Sequence, residues 1–145
     1  PTVGHAVFVD ELATELKHAF PGHLVSQASL GVGIRRDPLR YRIPDISIYP
    51  RSAISKAIRK DPSDPYMWTS PILVAECLSP SNRKGKIANL LADYESIGVP
   101  EVWFFYPQKR VFQKYLLEHG KLRLKEGGEP GSIALDDLWR AFHGK

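Results

Sequence analysis

The sequence has one cysteine, Cys77, in 145 residues. That excludes a disulfide framework and a multi-cysteine zinc site, and the lone thiol fits a reducing, cytoplasmic compartment. No apolar run approaches the roughly 20 residues that a membrane-spanning helix needs, so no membrane partner is expected. No basic-then-apolar leader pattern opens the chain. Internal repeats and extended low-complexity segments are lacking too. Pro1 stands where an initiator methionine would be, which leaves room for a short missing N-terminal segment. What is present, 43% hydrophobic and 25% charged residues, is the makeup of an ordinary globular protein. The length suits one hydrophobic core, and a single domain over 1–145 is expected.

The net charge of +4 says little by itself. Its distribution says more. Residues 35–60 hold Arg35, Arg36, Arg40, Arg42, Arg51, Lys56, Arg59 and Lys60 against Asp37 and Asp45, a local +6 that leaves −2 for the rest. A second basic knot is Arg83-Lys84-Gly85-Lys86. Solvated loops explain such runs as readily as a polyanionic partner does.

Periodicity sketches the elements. Val9, Leu12, Ala13, Leu16 and Phe20 recur at helical spacing within 4–20, and Pro21-Gly22 stops that helix. Strands are expected at 23–34 and 41–49, then an irregular excursion over 50–70 in which SAISKAIRK suits a short helix. Residues 71–78 form a short apolar strand of the kind buried on both faces. Ile87, Leu90, Leu91, Tyr94 and Ile97 mark an amphipathic helix over 83–97 that Ser79-Pro80-Ser81-Asn82 is suited to start. Strands follow at 101–106 and 110–118, a hairpin turn at His119-Gly120 leads into KLRLK, and a helix closes the chain at 136–142. The expected order is α-β-β-β-α-β-β-β-α, an α/β (α+β) fold with a central mixed sheet flanked by helices.

Two acids sit where local preference does not put them. Glu76 lies in the run Ile72-Leu73-Val74-Ala75-Glu76-Cys77-Leu78, where an unpartnered carboxylate costs several kcal/mol. Asp45 is placed mid-strand among Ile43, Ile46 and Ile48, against its poor strand propensity. An edge position or an arginine partner would explain either one alone. Together, one per strand, they suit a hard, oxygen-ligated cation such as Mg²⁺ or Mn²⁺. Such an ion polarises phosphate and acidifies water, and a nearby cation would stabilise the charge that develops. At helical spacing Arg83 falls nearly on the apolar stripe of the 83–97 helix and Lys86 on its flank. Both are expected to point back toward the sheet, with Lys86 the leading candidate. A basic first turn opposes the helix dipole, so local stability does not account for it. Tyr66 and Trp68 are expected to anchor a loop rather than stack on bases. Cys77 has no nucleophile partner and reads as a small core residue.

Pro44-Asp45 followed by Glu76-Cys77-Leu78 is similar to the PD-(D/E)XK nuclease pattern with its lysine displaced. More closely, Pro44-Asp45, Glu76 through Ser81, Tyr94, Gly98 to Trp103 and Tyr106-Pro107 resemble the bacterial "putative restriction endonuclease" family of that superfamily. His5 also matches a family position, and the resemblance runs from about residue 5 to 118. It implies a restriction-endonuclease-like core and a divalent metal on Asp45, Glu76 and the backbone carbonyl of Cys77. It also implies phosphodiester hydrolysis in DNA. Three positions depart from the pattern. Leu78 stands where the general pattern has lysine. Lys86 and Leu90 stand where the family often has Asp and then Lys, so the lysine comes one turn early. The glutamate that often precedes the first helix would fall before Pro1, and Glu11 and Glu15, which face away from the stripe, are poor substitutes for it.

The sequence therefore predicts a metal-dependent DNA endonuclease, with Asp45, Glu76 and Lys86 catalytic and His5 and Arg83 in support. Arg35, Arg36, Arg40, Arg51, Lys56, Arg59, Lys60 and Lys84 would hold DNA, and cutting two strands favours a homodimer. A catalytically impaired nuclease fold that only binds DNA is the first alternative. A basic structural protein that meets no nucleic acid is the second. Asp45 and Glu76 side chains on opposite faces would exclude the nuclease.

Overall fold

The computed structural model describes residues 2–145. Helix α1 (Val3–Ala19) starts at Thr2, whose hydroxyl accepts the His5 amide. It buries Phe8, Val9, Leu12, Ala13 and Leu16 along one stripe. The chain then enters a six-stranded sheet of order β1-β4-β6-β7-β8-β9. Its strands are β1 (His23–Gln27), β4 (Ile46–Pro50), β6 (Leu73–Cys77), β7 (Glu101–Tyr106), β8 (Val111–Glu118) and β9 (Lys121–Leu124). Within this sheet, among the described residues, only β6 and β7 pair in parallel. They are joined by helix α3 (Lys84–Ser96), the crossover that a parallel pair requires. Helix α4 (Leu135–Phe142) closes the chain against α1.

Alternation along the strands divides the core in two. Ile46, Ile48, Ala75, Trp103 and Phe105 face α1 and α4. Val74, Val102 and Phe104 face α3, where they meet Leu90 and Tyr94. A second sheet, β3-β2-β5, is built from β2 (Gly31–Arg35), β3 (Arg40–Arg42) and β5 (Tyr66–Met67).

Two expected strands are thus broken. Residues 23–34 divide into β1 and β2, and 41–49 into β3 and β4, each pair shared between the two sheets. The breaks lie opposite one another. Ala28, with φ +46, turns the chain out of β1, and its N–H donates to the Asp45 carbonyl at 3.0 Å. Asp45 therefore occupies a bend at the mouth of β4, not mid-strand. Alternation cannot reveal such a break, because both halves of each run keep strand-like residues. Helix α2 (Arg51–Lys60) forms as SAISKAIRK suggested, with none of its residues buried. The full order is α-β-β-β-β-α-β-β-α-β-β-β-α. It exceeds the expected one by α2 and by the strands of the small sheet.

Candidate active site

Asp45 and Glu76 meet. Antiparallel pairing sets Ile46 opposite Ala75, so the bend before β4 lies beside the end of β6. The backbone N–H of Cys77 donates to Asp45 Oδ2 at 2.7 Å, and the N–H of Asp45 donates to Glu76 Oε1 at 3.2 Å. Each carboxylate is held by the backbone next to the other, and both line one cavity of about 410 Å³. The test of a common face is met.

Among the described residues Glu76 has neither an edge position nor an arginine in ion-pair contact to explain it. β6 is an interior strand, and the side chain that hydrogen-bonds to Glu76 is a tyrosine. The Tyr94 hydroxyl on α3 donates to Glu76 Oε2 at 2.9 Å. Glu76 is 9% exposed. Burial, followed by the neighbouring Asp45 charge, pushes its carboxyl up to about 7. The Tyr94 hydroxyl, the Asp45 N–H and Arg42 pull the other way and do not win. Two carboxylates are thus crowded together with too little positive charge between them.

A divalent cation would relieve that crowding, and hard carboxylate oxygens suit it. Among the described residues no cluster of three or more His, Cys, Asp or Glu side chains is arranged to hold a metal. The protein's own carboxylates number two, a set that fits Mg²⁺, which keeps waters and takes substrate phosphate as further ligands. At Cys77 it is the amide that touches the site, through Asp45. Burial and then the two carboxylates push the Cys77 thiol up to about 12, so it is no nucleophile at neutral pH.

The remaining candidates divide. His5, in the first turn of α1, brings Nε2 to 3.3 Å from Asp45 Oδ1 and lines the cavity. Lys86, exposed on the first turn of α3, lines it as well. Arg83 does not. It is the residue before α3 and not part of its first turn, so helical spacing does not set its direction. It lines an adjoining cavity of about 530 Å³, which shares Arg42, Asn82 and Lys86 with the first. Lys84 is exposed and lines neither. The expected helix start also differs: Asn82 Oδ1 accepts from the Ser79 N–H at 2.6 Å and closes a turn before α3, which itself has no side-chain cap.

The basic stretch at 35–60 is not one arm. Arg35 donates to the Pro38 carbonyl, and Arg36 lies over the Trp68 ring at 4.3 Å. Arg40 grips Asp93 through both carboxylate oxygens at 2.9 Å each, and Arg42 donates to the same carboxylate at 2.6 Å. Arg51, Lys56, Arg59 and Lys60 are on α2, which begins where β4 ends, and none of them lines either cavity. Tyr66 and Trp68 anchor the small sheet. An added Cβ on Gly31 or Gly33 would strike their rings, and Trp68 Nε1 donates to Asp64 at 3.1 Å.

Sequence reasoning missed Arg42, Asp93 and the hydroxyl of Tyr94. Tyr94 reads as core because its ring is core. Asp93 lies off the apolar stripe, and its partners are more than fifty residues away. Burial pushes the Asp93 carboxyl up, but the hydrogen bonds and charges of Arg40 and Arg42 outweigh it and hold it below its ordinary value.

The profile of the family described as "Uma2: Putative restriction endonuclease" matches residues 1–142. No curated protein sequence matches the chain. Among solved structures, a nuclease described as "putative" and belonging to DUF820, from Anabaena variabilis ATCC 29413, superposes with a TM-score of 0.73. The two are 16% identical, over 98% of this chain and 83% of that one. At that identity the likeness is one of fold. No described helix is long and apolar enough to cross a membrane.

Proposed function

The chain belongs to the Uma2 family of "putative restriction endonucleases", and on that premise we propose that it is a metal-dependent endonuclease hydrolysing phosphodiester bonds in DNA. The observation that carries the reading is the crossed pair of hydrogen bonds that holds the Asp45 and Glu76 carboxylates in one cavity. Asp45 and Glu76, with the Cys77 carbonyl, would hold Mg²⁺ or Mn²⁺. When bound, such an ion polarises the phosphate and acidifies water. Lys86 and Arg42, on the same cavity, bind the phosphate oxygens and offset the charge that grows on them. Tyr94 orients Glu76, and His5 orients Asp45. The cytoplasm is the proposed setting, and a homodimer the proposed form for cutting both strands.

A DNA-binding module that does not cut is the rival. It is favoured by Leu90, a buried leucine that lines the cavity where the resemblance implies lysine. Incubation of plasmid DNA with Mg²⁺ or with EDTA decides between them. Cutting that needs the metal and is lost in Asp45→Ala and Glu76→Ala supports the nuclease. Salt-sensitive binding without cutting supports the module, and cutting that survives both substitutions sinks the assignment of the site.

A further inference from the structure

The small sheet faces the site with one edge. Along β3 and its flanks the side chains alternate. Arg40 and Arg42 turn inward to Asp93 on α3, which is 8% exposed. Leu39, Tyr41 and Ile43 turn outward and are 50%, 44% and 53% exposed. Three large apolar side chains in a row are thus left to solvent, beside a cavity lined by Asp45, Glu76, Arg42 and Lys86. Two of them, Tyr41 and Ile43, line the same cavity as Asp45 and Glu76.

The middle of the strip is held from both sides. Three hydrogen bonds to one buried carboxylate fix the inward side of β3. On the outward side the Tyr41 ring leans on Tyr66, with centroids 4.8 Å apart, and Tyr66 meets Trp68 at 5.9 Å. An exposed aromatic packed on a second ring, next to a cavity that Arg42 and Lys86 line, has the composition of a base-stacking platform: cations for the backbone, rings for the bases.

We propose that Leu39, Tyr41 and Ile43 bind the unpaired bases that flank the bond being cut, and so direct the enzyme to DNA that is single-stranded or locally opened. The proposal rests on the nuclease reading of the Asp45–Glu76 cavity. The occupant follows from continuity with that cavity and from charge. A strand whose phosphate lies between Arg42 and Lys86 carries its bases on the side away from those cations. In a paired duplex those bases are stacked and turned inward, where Tyr41 cannot reach them.

The test uses three fluorescent oligonucleotides of one sequence: a single strand, a perfect duplex, and a duplex with a central unpaired bubble. Binding is read by anisotropy in EDTA, and cutting in Mg²⁺. The wild-type chain is expected to prefer the single strand and the bubble over the duplex. Tyr41→Ala should lose about tenfold in affinity for the unpaired substrates and much less for the duplex, and Ile43→Ser should shift the preference the same way. Tyr41→Phe should keep it. Thermal unfolding of each variant separates misfolding from a loss of stacking. Equal binding of bubble and duplex, equal losses on both, or no binding to any of the three overturns the proposal. So does a dimer that dissociates in Tyr41→Ala, since the strip would then cover a second copy of the chain. Cutting bubble and duplex at equal rates overturns it while the nuclease stands. No cutting of any substrate removes the nuclease, and the anisotropy comparison still judges the strip.

Discussion

The segment from β2 to β3 and helix α2 carry four basic residues each, and the fold uses them in opposite ways. In the first, all four are tied down: Arg35 to a carbonyl, Arg36 over Trp68, Arg40 and Arg42 to Asp93. In the second, Arg51, Lys56, Arg59 and Lys60 enter no ion pair among the described residues and project from a helix with nothing buried. A fixed charge near a reacting group acts by being already in place. A mobile one acts through the field it adds to a surface. The +6 of residues 35–60 is therefore two quantities, one held in place, with Arg42 on the cavity of the candidate site, and one on a helix that lines no part of that cavity.

The contrast is sharpest at the carboxylates, whose cavity Arg42 lines. Asp45→Ala and Glu76→Ala should each reduce metal-dependent cutting about a thousandfold, on the scale of the several kcal/mol that metal-held phosphate chemistry supplies. A rate measured under substrate saturation checks it. No change at α2 should approach that loss.

Breaking the contrast takes one substitution. Asp93→Ala would leave Arg40 and Arg42 as untethered as the cations of α2. Removing one member of a well-buried ion pair costs about 3–5 kcal/mol. Arg40 is half exposed, so roughly 1–3 kcal/mol of unfolding free energy is expected here, read from urea denaturation. Cutting should fall about 10–100-fold, the usual cost of losing a group that orients another. If cutting is untouched in a folded Asp93→Ala protein, the fixed arginines have no part in the site.

Much of this is legible in the sequence, and for physical reasons. Glu76 stands out because an acid in the run from Ile72 to Leu78 has no local explanation. The helices α1 and α3 stand out because their apolar stripes are long enough to count. What cannot be read is long-range. The bend at Asp45 depends on Ala28 across the sheet, and the clamp on Arg42 depends on an aspartate on α3. Each local stretch remains compatible with either outcome until the sheets are paired. Arg83 fails differently, because helical spacing holds only from Lys84 onward, one residue later.

Proton linkage gives a smaller, continuous test of the same end of the molecule. Without metal, Glu76 holds its proton up to about pH 7 in the folded chain, against an ordinary value of 4.5. Between those values the folded state binds more protons than the unfolded one, so stability falls as pH rises through the window. The full effect is on the order of 3 kcal/mol. It is present below about pH 4.5 and gone above about pH 7. In EDTA, the thermal midpoint should decline from about pH 5 to about pH 8 by several degrees more than in Glu76→Gln, which cannot ionise. At the upper end of that range, Mg²⁺ should raise the wild-type midpoint and leave that of Glu76→Gln nearly where it was. Identical pH profiles for the two proteins would mean that Glu76 is not strained by its neighbours.

The smallest effect is expected at α2, and its form matters more than its size. Replacing Arg51, Lys56, Arg59 and Lys60 together by glutamine keeps good helix formers in place, although it removes the two cations that favour the last turn. Helix α2 lines neither cavity, so it would meet a bound strand away from the bond being cut. Its cations can reach backbone phosphate there but not the bond being cut. DNA binding should weaken only a few-fold near about 0.1 M salt, by the same factor for every sequence. The plot of log affinity against log salt should become shallower by about one for each phosphate that α2 no longer neutralises. The cut position and the rate at saturation should not follow. A thousandfold loss of cutting in this variant would place α2 within the site and erase the distinction between fixed and free charge, because a helix acting only through its field cannot remove chemistry performed at the other end of β4.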